Sequence, residues 1–330
     1  MNFSEGNEVA VGCAAWLDRS LLKDGDFYPR KTMTSRDRLA WYARFFPFVE
    51  VNSSYYALPA PPTVSQWAEA TPPGFLFGVK AWGPLTGHTV QALAVPPALR
   101  RYFLNVPRNA RGEIEARHFP PSAREASFEL LREAVSPLVR SGKLGYLLFQ
   151  MAPWVSDTAE GRRALAALPR RFPSIPVAVE FRHPDWIPGR TEDTLKFLED
   201  NGLSHVAVDA VWMPRVAAAT GPVFVLRCHG RNEAGWRAQK EGRAPTVAEK
   251  YDYHYSDGEV DELVAAVRRE AGPRRRAFLV FNNNNKDYPV RNALSARKKL
   301  GQPVPDLAAA QKAWRSDRSP RDPAAELFKW

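Results

Sequence analysis

The stretch LGYLLFQMAPWVSDTAEGRRALAALPRRFPSIPVAVEFR, residues 144–182, decides the fold. It begins with an apolar run at residues 144–151 and ends with another at 177–182, each with the length and composition of a buried strand. Between them, residues 159–171 are rich in helix-favouring Ala, Leu and Arg, and Thr158 stands where a helix N-cap is expected. A strand, a helix and a strand in this order predict two parallel strands joined by a crossover helix.

The same alternation extends along the chain. Strands are predicted at residues 9–16, 48–53, 75–81, 144–151, 177–182, 204–209, 223–229 and 277–283. Helices are predicted near residues 36–46, 64–70, 127–141, 159–171, 192–201, 259–271 and 290–300, with Thr191 and Asp257 as further N-caps and Gly142, Gly202 and Gly272 after helix ends. Eight strands alternating with helices predict an α/β fold, the TIM (β/α)8 barrel. The rival is an open doubly wound sheet, but no Gly-x-Gly-x-x-Gly turn follows the first strand.

Two stretches are too long for the loops of a minimal barrel. Residues 83–126 follow the third strand and residues 231–255 follow the seventh, both on the side where loops build or cover a pocket. Residues 1–300 are therefore predicted to form a single TIM-barrel domain with long inserted loops after strands 3 and 7. Residues 301–330 are predicted to be a C-terminal extension that drapes over the barrel or stays loose.

Composition limits the classes of protein that this chain can belong to. With 330 residues and 45% hydrophobic residues it is globular, and it has neither a membrane span nor a secretory signal, so a cytoplasmic location is expected. Cys13 and Cys228, the only cysteines, lie in apolar runs and are read as reduced core residues. The net charge of +10 favours anionic partners, although an arginine-rich proteome would produce the same value. The oligomeric state is left open.

Polar residues stand at the C-terminal ends of most predicted strands. Side chains two residues apart in a barrel strand point the same way, so these residues are expected to meet in the mouth of the barrel. They are Glu50, Asn52, Lys80, Gln150, Glu180, Arg182, Asp209, Arg227, His229, Asn282 and Asn283. Each alone is explained as a solvated strand end or as half of a structural ion pair. Their convergence at seven strands of eight is costly in desolvation and favours a functional site.

The residue types favour acid/base chemistry on an anionic ligand. Glu50 and Glu180 are the candidate acid and base, and His229 is a candidate for proton transfer near neutral pH. The charge-binding candidates are Arg182, Arg227 and Lys80, and the orienting candidates are Asn52, Gln150, Asn282 and Asn283. Successive residues of a strand alternate in direction, so only one of the last two can point inward and the other ties down a neighbouring loop. The expected function is an enzyme, a hydrolase, isomerase or lyase, acting on a sugar- or phosphate-containing anion.

A metal site is the sharper alternative, although no cofactor is predicted. Glu180, Asp209 and His229 would offer Mg, Mn or Zn a mixed set of oxygen and nitrogen ligands. The arginines beside them oppose a cation. A covalent hydrolase is disfavoured because the chain has no Gly-x-Ser-x-Gly turn and Cys228 should face the helices.

Nucleic-acid binding and a non-catalytic scaffold are hypotheses from other classes. The inserted loops interleave basic residues with aromatic ones, a mix that tracks phosphates and stacks bases but is also typical of a solvated rim. These residues are Arg100, Arg101, Arg108, Arg111, Arg231, Arg237, Lys240 and Arg243, with Tyr102, Phe103 and Trp236. A scaffold predicts that changing Glu180 or Arg227 leaves every phenotype intact.

Several of these stretches together resemble a known family. The motifs are FYP (27–29), FVEVNSSYYALP (48–59), TVSQWAEATPPGFLFGVKA (63–81), EFRHPDW (180–186), VLRCHGR (225–231) and FLVFNNN (278–284). In this order they look like the YecE-like family, domain of unknown function 72, over residues 9–300. The resemblance implies a TIM barrel and no particular reaction; its likeness to xylose-isomerase and endonuclease IV barrels keeps a phosphodiester hydrolase open by analogy.

The chain departs from the family pattern at two places. Gly87 separates Thr86 from His88, which the family usually has side by side, and a longer loop follows. Cys13 and Ala14 stand where the family often has Thr and Ser, so a hydroxyl is absent there.

Overall fold

Eight parallel strands close into a barrel in the computed structural model, which describes residues 9–235, 247–273 and 275–316. The strands of the protein are β1 (Val9–Cys13), β2 (Phe48–Val51), β3 (Leu76–Lys80), β4 (Val90–Gln91), β5 (Glu113–Ile114), β6 (Leu144–Gln150), β7 (Val177–Glu180), β8 (Ser204–Ala210), β9 (Val223–Gly230) and β10 (Arg276–Phe281). All but β4 and β5 belong to the barrel, which closes where β1 pairs with both β2 and β10. The predicted TIM-barrel fold is confirmed.

Helices surround the barrel. They are α1 (Arg19–Asp24), α2 (Ser35–Ala43), α3 (Pro61–Glu69), α4 (Pro121–Arg140), α5 (Ala159–Ala166), α6 (Leu168–Arg171), α7 (Thr191–Asp200), α8 (Val247–Lys250), α9 (Asp257–Glu270), α10 (Tyr288–Lys299) and α11 (Leu307–Ser316). Thr158 caps α5 as predicted, by accepting a hydrogen bond from the amide of Gly161. The predictions of Thr191 and Asp257 as N-caps were wrong, because α7 is preceded by Arg190 and α9 is capped by a box between Ser256 and Glu259.

The segment after β3 is a packed unit rather than an open loop. It contains short 3-10 turns and the two-stranded antiparallel ribbon of β4 and β5. Trp82, Leu99, Phe103 and Phe119 are buried in an apolar cluster of its own. Helix α4 begins at Pro121, before the predicted start at residue 127, because proline is favourable in the first turn of a helix.

Two further stretches differ from a regular barrel unit. Residues 211–222, between β8 and β9, contain no helix. In the described part of the C-terminal extension, α11 packs the ring of Trp314 against Trp41, with 5.3 Å between centroids. Residues 317–330 lie outside the described residues.

Side chains fill the barrel interior in layers, apolar below and polar above. Phe48, Tyr146 and Phe278 stack against one another in the lower layers. Glycine makes room for them: a Cβ at Gly78 would lie 2.6 Å from the ring of Tyr146. Two residues above Phe48 on the same strand is Glu50, the first charged group of the mouth.

Candidate functional site

A buried network of charged groups forms the floor of the barrel mouth. Glu50 on β2, Glu180 on β7, and Arg227 and His229 on β9 are each no more than 1% exposed. Their strands cross from the apolar layers to the open end of the barrel, and the two-residue period of each strand directs these side chains inward. The predicted convergence at the strand ends is therefore present for these four residues.

Arg227 bridges two carboxylates from opposite parts of the sequence. Its Nη2 donates to Oε1 of Glu50 at 2.7 Å, and its Nη1 donates to Oε2 of Glu180. The hydroxyl of Tyr146 donates to the second oxygen of Glu50 at 2.8 Å. Burial opposes the charge on Arg227, but the two carboxylates raise its pKa above the ordinary arginine value. Arg227 is thus a permanent cation held in place by its partners.

Glu180 is paired with two guanidinium groups. In addition to Arg227, it accepts a hydrogen bond from Nε of Arg182 at 2.5 Å. Burial alone would raise the pKa of Glu180, but Arg182, Arg227 and the neighbouring His229 together hold it well below the usual value. Gln150 completes this contact, because its Oε1 accepts from Arg182 at 3.3 Å and from Arg227 at 3.2 Å. The carboxylate is therefore ionised and strongly hydrogen-bonded.

His229 is a neutral imidazole within this network. Burial and the nearby Arg182 lower its pKa to about 3. Its Nδ1 lies 2.9 Å from the side-chain nitrogen of Asn282, which can donate only to an unprotonated ring nitrogen. Its Nε2 lies 3.8 Å from Oε1 of Glu180, 3.4 Å from Nη2 of Arg182 and 3.5 Å from Nη1 of Arg227.

The two asparagines at the end of β10 take different directions. Asn282 points into the mouth, where its Oδ1 accepts from Nδ2 of Asn52 at 3.4 Å. Asn283 points away and holds the loop after β9, since its Nδ2 donates to the carbonyl of Tyr253 at 2.7 Å and to Oδ1 of Asn292 at 3.0 Å. Only one of the pair reaches the mouth, as the alternation of a strand requires. Oδ1 of Asn52 is buried and accepts no hydrogen bond from the residues in the described ranges.

Lys80 stands apart from the ion pairs. It ends β3, and its Nζ lies 4.2 Å from the centroid of the Tyr55 ring. Among the described residues, its ammonium group forms neither a hydrogen bond nor a salt bridge. Burial and the positive charges of Arg227 and Arg182 lower the pKa of Lys80 to about 7, against the opposing effect of the two glutamates.

Asp209 belongs to a different cluster. Its carboxylate binds Arg231 at 3.0 Å through both oxygens, Arg215 at 2.9 Å and the hydroxyl of Tyr255 at 2.8 Å. These partners lie on the helix side of the sheet, so Asp209 does not meet Glu180 and His229. The three residues predicted as a metal set are therefore not assembled. In the part of the chain that the structure describes, no group of three or more His, Cys, Asp or Glu side chains is placed to hold a metal ion.

Aromatic side chains line the mouth above the polar floor, and they were not among the site residues predicted from the sequence. Trp212 lies 4.7 Å from the guanidinium of Arg182, and its ring is 5.2 Å from that of His229. Across the mouth, the ring of His88 is 5.0 Å from that of Tyr55. Their positions in the sequence could have indicated them, because Tyr55 and Trp212 each lie three residues after a polar residue at the C-terminal end of a predicted strand.

The basic and aromatic residues predicted to line the rim are only partly available to a ligand. Arg231 forms ion pairs with Asp209, Glu259 and Glu262. Phe103 is buried in the segment inserted after β3. Trp236, Arg237, Lys240 and Arg243 lie outside the described residues. No helix within the described ranges is long and apolar enough to cross a membrane.

Comparison with known proteins gives one consistent result. The family model "Protein of unknown function DUF72" matches residues 10–316. The chain is 29% identical to UPF0759 protein YunF of Bacillus subtilis (strain 168) over 284 residues, which cover 84% of this chain and 89% of YunF. A crystal structure of a DUF72 family protein from Enterococcus faecalis V583 superposes with a TM-score of 0.70 at 26% identity, covering 91% of this chain and 98% of that one. One from Thermotoga maritima MSB8 gives 0.65 at 26% identity, covering 89% and 99%. The chain belongs to the DUF72 family.

Proposed function

We propose that the barrel mouth is an enzyme site that acts on a small anion carrying phosphate or carboxylate, such as a sugar phosphate. The supporting observation is the charge balance of the mouth. Among the residues that the structure describes, Lys80, Arg182 and Arg227 face two carboxylates, Glu50 and Glu180, so one positive charge remains uncompensated by them when Lys80 is protonated. An anion from solution can neutralise this charge.

Arg182 and Lys80 are the two cations of the mouth that would contact the anion. Arg227 is 1% exposed, and its guanidinium group already donates hydrogen bonds to Glu50, Glu180 and Gln150. Arg182 is 11% exposed, and its Nη1 donates to no described residue. Together with Lys80, it can offer a bidentate and a point-charge contact to a phosphate or carboxylate group.

We assign proton transfer to Lys80 in place of the residues that the sequence favoured. Glu180 is held ionised by two arginines, and Glu50 is occupied by Arg227 and Tyr146. His229, with a pKa of about 3, is too weak a base to take up a proton near pH 7. Lys80, with a pKa of about 7, populates both protonation states near neutral pH, as a general acid or base must.

The proposed anion site can be tested with a matched pair of arginine variants. Binding of inorganic pyrophosphate is measured by calorimetry for the wild type, Arg182→Gln and Arg215→Gln. Both changes remove one cation that pairs with a carboxylate, but Arg215 contacts Asp209 on the helix side of β8. We expect Arg182→Gln to weaken binding by about ten-fold or more, as for loss of a charge-assisted hydrogen bond, and Arg215→Gln by about two-fold or less.

Equal binding by the wild type and Arg182→Gln would contradict the proposal. A panel of sugar phosphates and phosphorylated acids, followed for turnover, then identifies the substrate. Nucleic-acid binding remains a prediction from sequence, and preferential retention of short DNA over pyrophosphate would favour it.

A further inference from the structure

We propose that Lys80 acts as a nucleophile, forming an imine with a carbonyl group of the anion bound at the mouth. The substrate class is then aldehydes and ketones that carry phosphate or carboxylate. This inference rests on the anion site of the proposed function and gives Lys80 a nucleophilic role in place of proton transfer. It narrows the reaction to isomerase or lyase chemistry, because an imine activates neighbouring C–H and C–C bonds.

Lys80 is partly buried, and its contacts differ from those of Lys143, which is buried. Lys143 immediately precedes β6, and its Nζ donates to the carbonyls of Ala68 and Thr71 at 2.6 Å each and to the hydroxyl of Thr71 at 3.0 Å. These bonds fix Lys143 as a structural ammonium. Nζ of Lys80 has no such acceptor among the described residues and lies 4.2 Å from the centroid of the Tyr55 ring.

The surroundings of Lys80 favour a free amine. Two guanidinium groups, of Arg182 and Arg227, lie near enough to disfavour a third positive charge, and burial acts in the same direction. The amine is consequently available near neutral pH, whereas an exposed lysine is protonated there. Geometry and electrostatics thus both distinguish Lys80 from lysines outside the mouth.

Tyr55 is held in place against Lys80 by a close backbone approach. A Cβ at Gly83 would lie 2.9 Å from the Tyr55 ring, so only glycine allows the ring to occupy this position. On its other side the ring meets His88 edge to face at 5.0 Å between centroids. An aromatic face 4.2 Å from Nζ also stabilises the protonated iminium that follows imine formation.

The step needs no oxidant or further reactant. The lone pair of Nζ attacks the carbonyl carbon, the carbonyl π pair moves to oxygen, and a proton passes from nitrogen to that oxygen. The resulting carbinolamine takes up a proton from solvent, expels its hydroxyl group as water and leaves the iminium, which returns one proton to solvent when it becomes the neutral imine. Amine and carbonyl thus give imine and water. The anionic group of the substrate would rest on Arg182, which is part of the same mouth.

Reductive trapping tests the imine directly. The protein is incubated with pyridoxal 5′-phosphate, an aldehyde that carries phosphate, and with sodium cyanoborohydride, and labelled peptides are quantified by mass spectrometry. We expect Lys80 to be labelled at pH 7 about ten times faster than exposed Lys196, with Lys143 unlabelled. The rate at Lys80 should level off above pH about 7, whereas that at Lys196 should keep rising. Labelling of Lys80 no faster than Lys196 would overturn the inference.

Two comparisons separate this inference from the anion site. Pyridoxal, which lacks the phosphate, should label Lys80 more slowly, and inorganic pyrophosphate should protect it. Fast labelling that is equal for both aldehydes and insensitive to pyrophosphate would retain the nucleophile and overturn the anion site. Binding of pyrophosphate without labelling of Lys80 would retain the anion site and overturn the nucleophile. Lys80→Arg keeps the charge but cannot form an imine, so it should bind pyrophosphate and lose the labelled peptide.

Discussion

At the scale of single residues, Arg227 determines how the mouth is built. It lies between Glu50 and Glu180, which come from strands on different sides of the barrel, and it is 1% exposed. A buried ion pair is weak evidence for stability, but removing one partner leaves an uncompensated charge that is expensive. The carboxylates are therefore needed by the fold whether or not they contact a substrate.

Glu180→Gln should lower the free energy of unfolding by about 3 kcal/mol, because Arg182 and Arg227 both lose their carboxylate in a buried site. The control is Glu262→Gln, which removes an ion pair with Arg231 from a side chain that is 53% exposed and should cost less than about 1 kcal/mol. Urea unfolding followed by tryptophan fluorescence measures both values. Similar losses in the two variants would contradict the buried network described above.

At the scale of elements, β3 and the turn after it depend on glycines. Gly78 admits the ring of Tyr146 into the barrel, and that ring carries the hydroxyl that binds Glu50. Gly83 admits Tyr55, the aromatic neighbour of Lys80. One segment thus supports both the floor and the wall of the mouth. A residue with a side chain at either glycine would displace a ring that the site uses.

Gly78→Ala should destabilise the protein by about 1–3 kcal/mol, because its Cβ would lie 2.6 Å from Tyr146 and the interior cannot expand freely. The matched control is Gly258→Ala in α9, where a Cβ meets nothing within 4 Å and the gain in helix propensity is worth about 0.5–1 kcal/mol. Opposite signs are expected in thermal unfolding. A neutral Gly78→Ala would mean that Tyr146 is not packed against β3.

At the scale of the whole molecule, three buried histidines link folding to pH. His88, His205 and His229 are 8%, 3% and 0% exposed. Burial lowers their pKa values from 6.5 to about 4, 4 and 3 respectively. Below pH 6.5 the unfolded chain binds protons that the folded chain does not, so stability is complete above this pH and is lost as the pH falls.

The free energy of unfolding should therefore decrease on acidification from pH 6.5 towards pH 4, by up to about 1.4 kcal/mol per pH unit for each such histidine. Substitution of His205, whose ring contacts the carbonyl of Val216, should make the free energy of unfolding depend less steeply on pH. The slope should decrease by about the contribution of one histidine. The variant is His205→Gln, and the control is His254→Gln at an exposed side chain. Urea titrations from pH 4 to pH 8 measure the slopes. An unchanged slope in His205→Gln would contradict the linkage.

The local pattern of the sequence determined the barrel. Alternating apolar runs and helix-favouring segments require parallel strands with crossovers, and strand period directs Glu50, Glu180 and Arg227 to one place. The same rule correctly required that only one of Asn282 and Asn283 reach the mouth. These features could be predicted because they depend on neighbours within a few residues.

Only the tertiary structure decided how those residues are used. Asp209 faces the helices, but the residues before it, Val206, Ala207 and Val208, are apolar and buried on both faces of β8. The sequence of that strand therefore does not reveal which residues point inward. Nζ of Lys80 has no hydrogen-bond acceptor among the residues that the structure describes. Glu50 binds Arg227, which is 177 residues away in the sequence, because closure of the barrel brings the two side chains together. Such contacts follow from the register of distant strands, which no local stretch of sequence encodes.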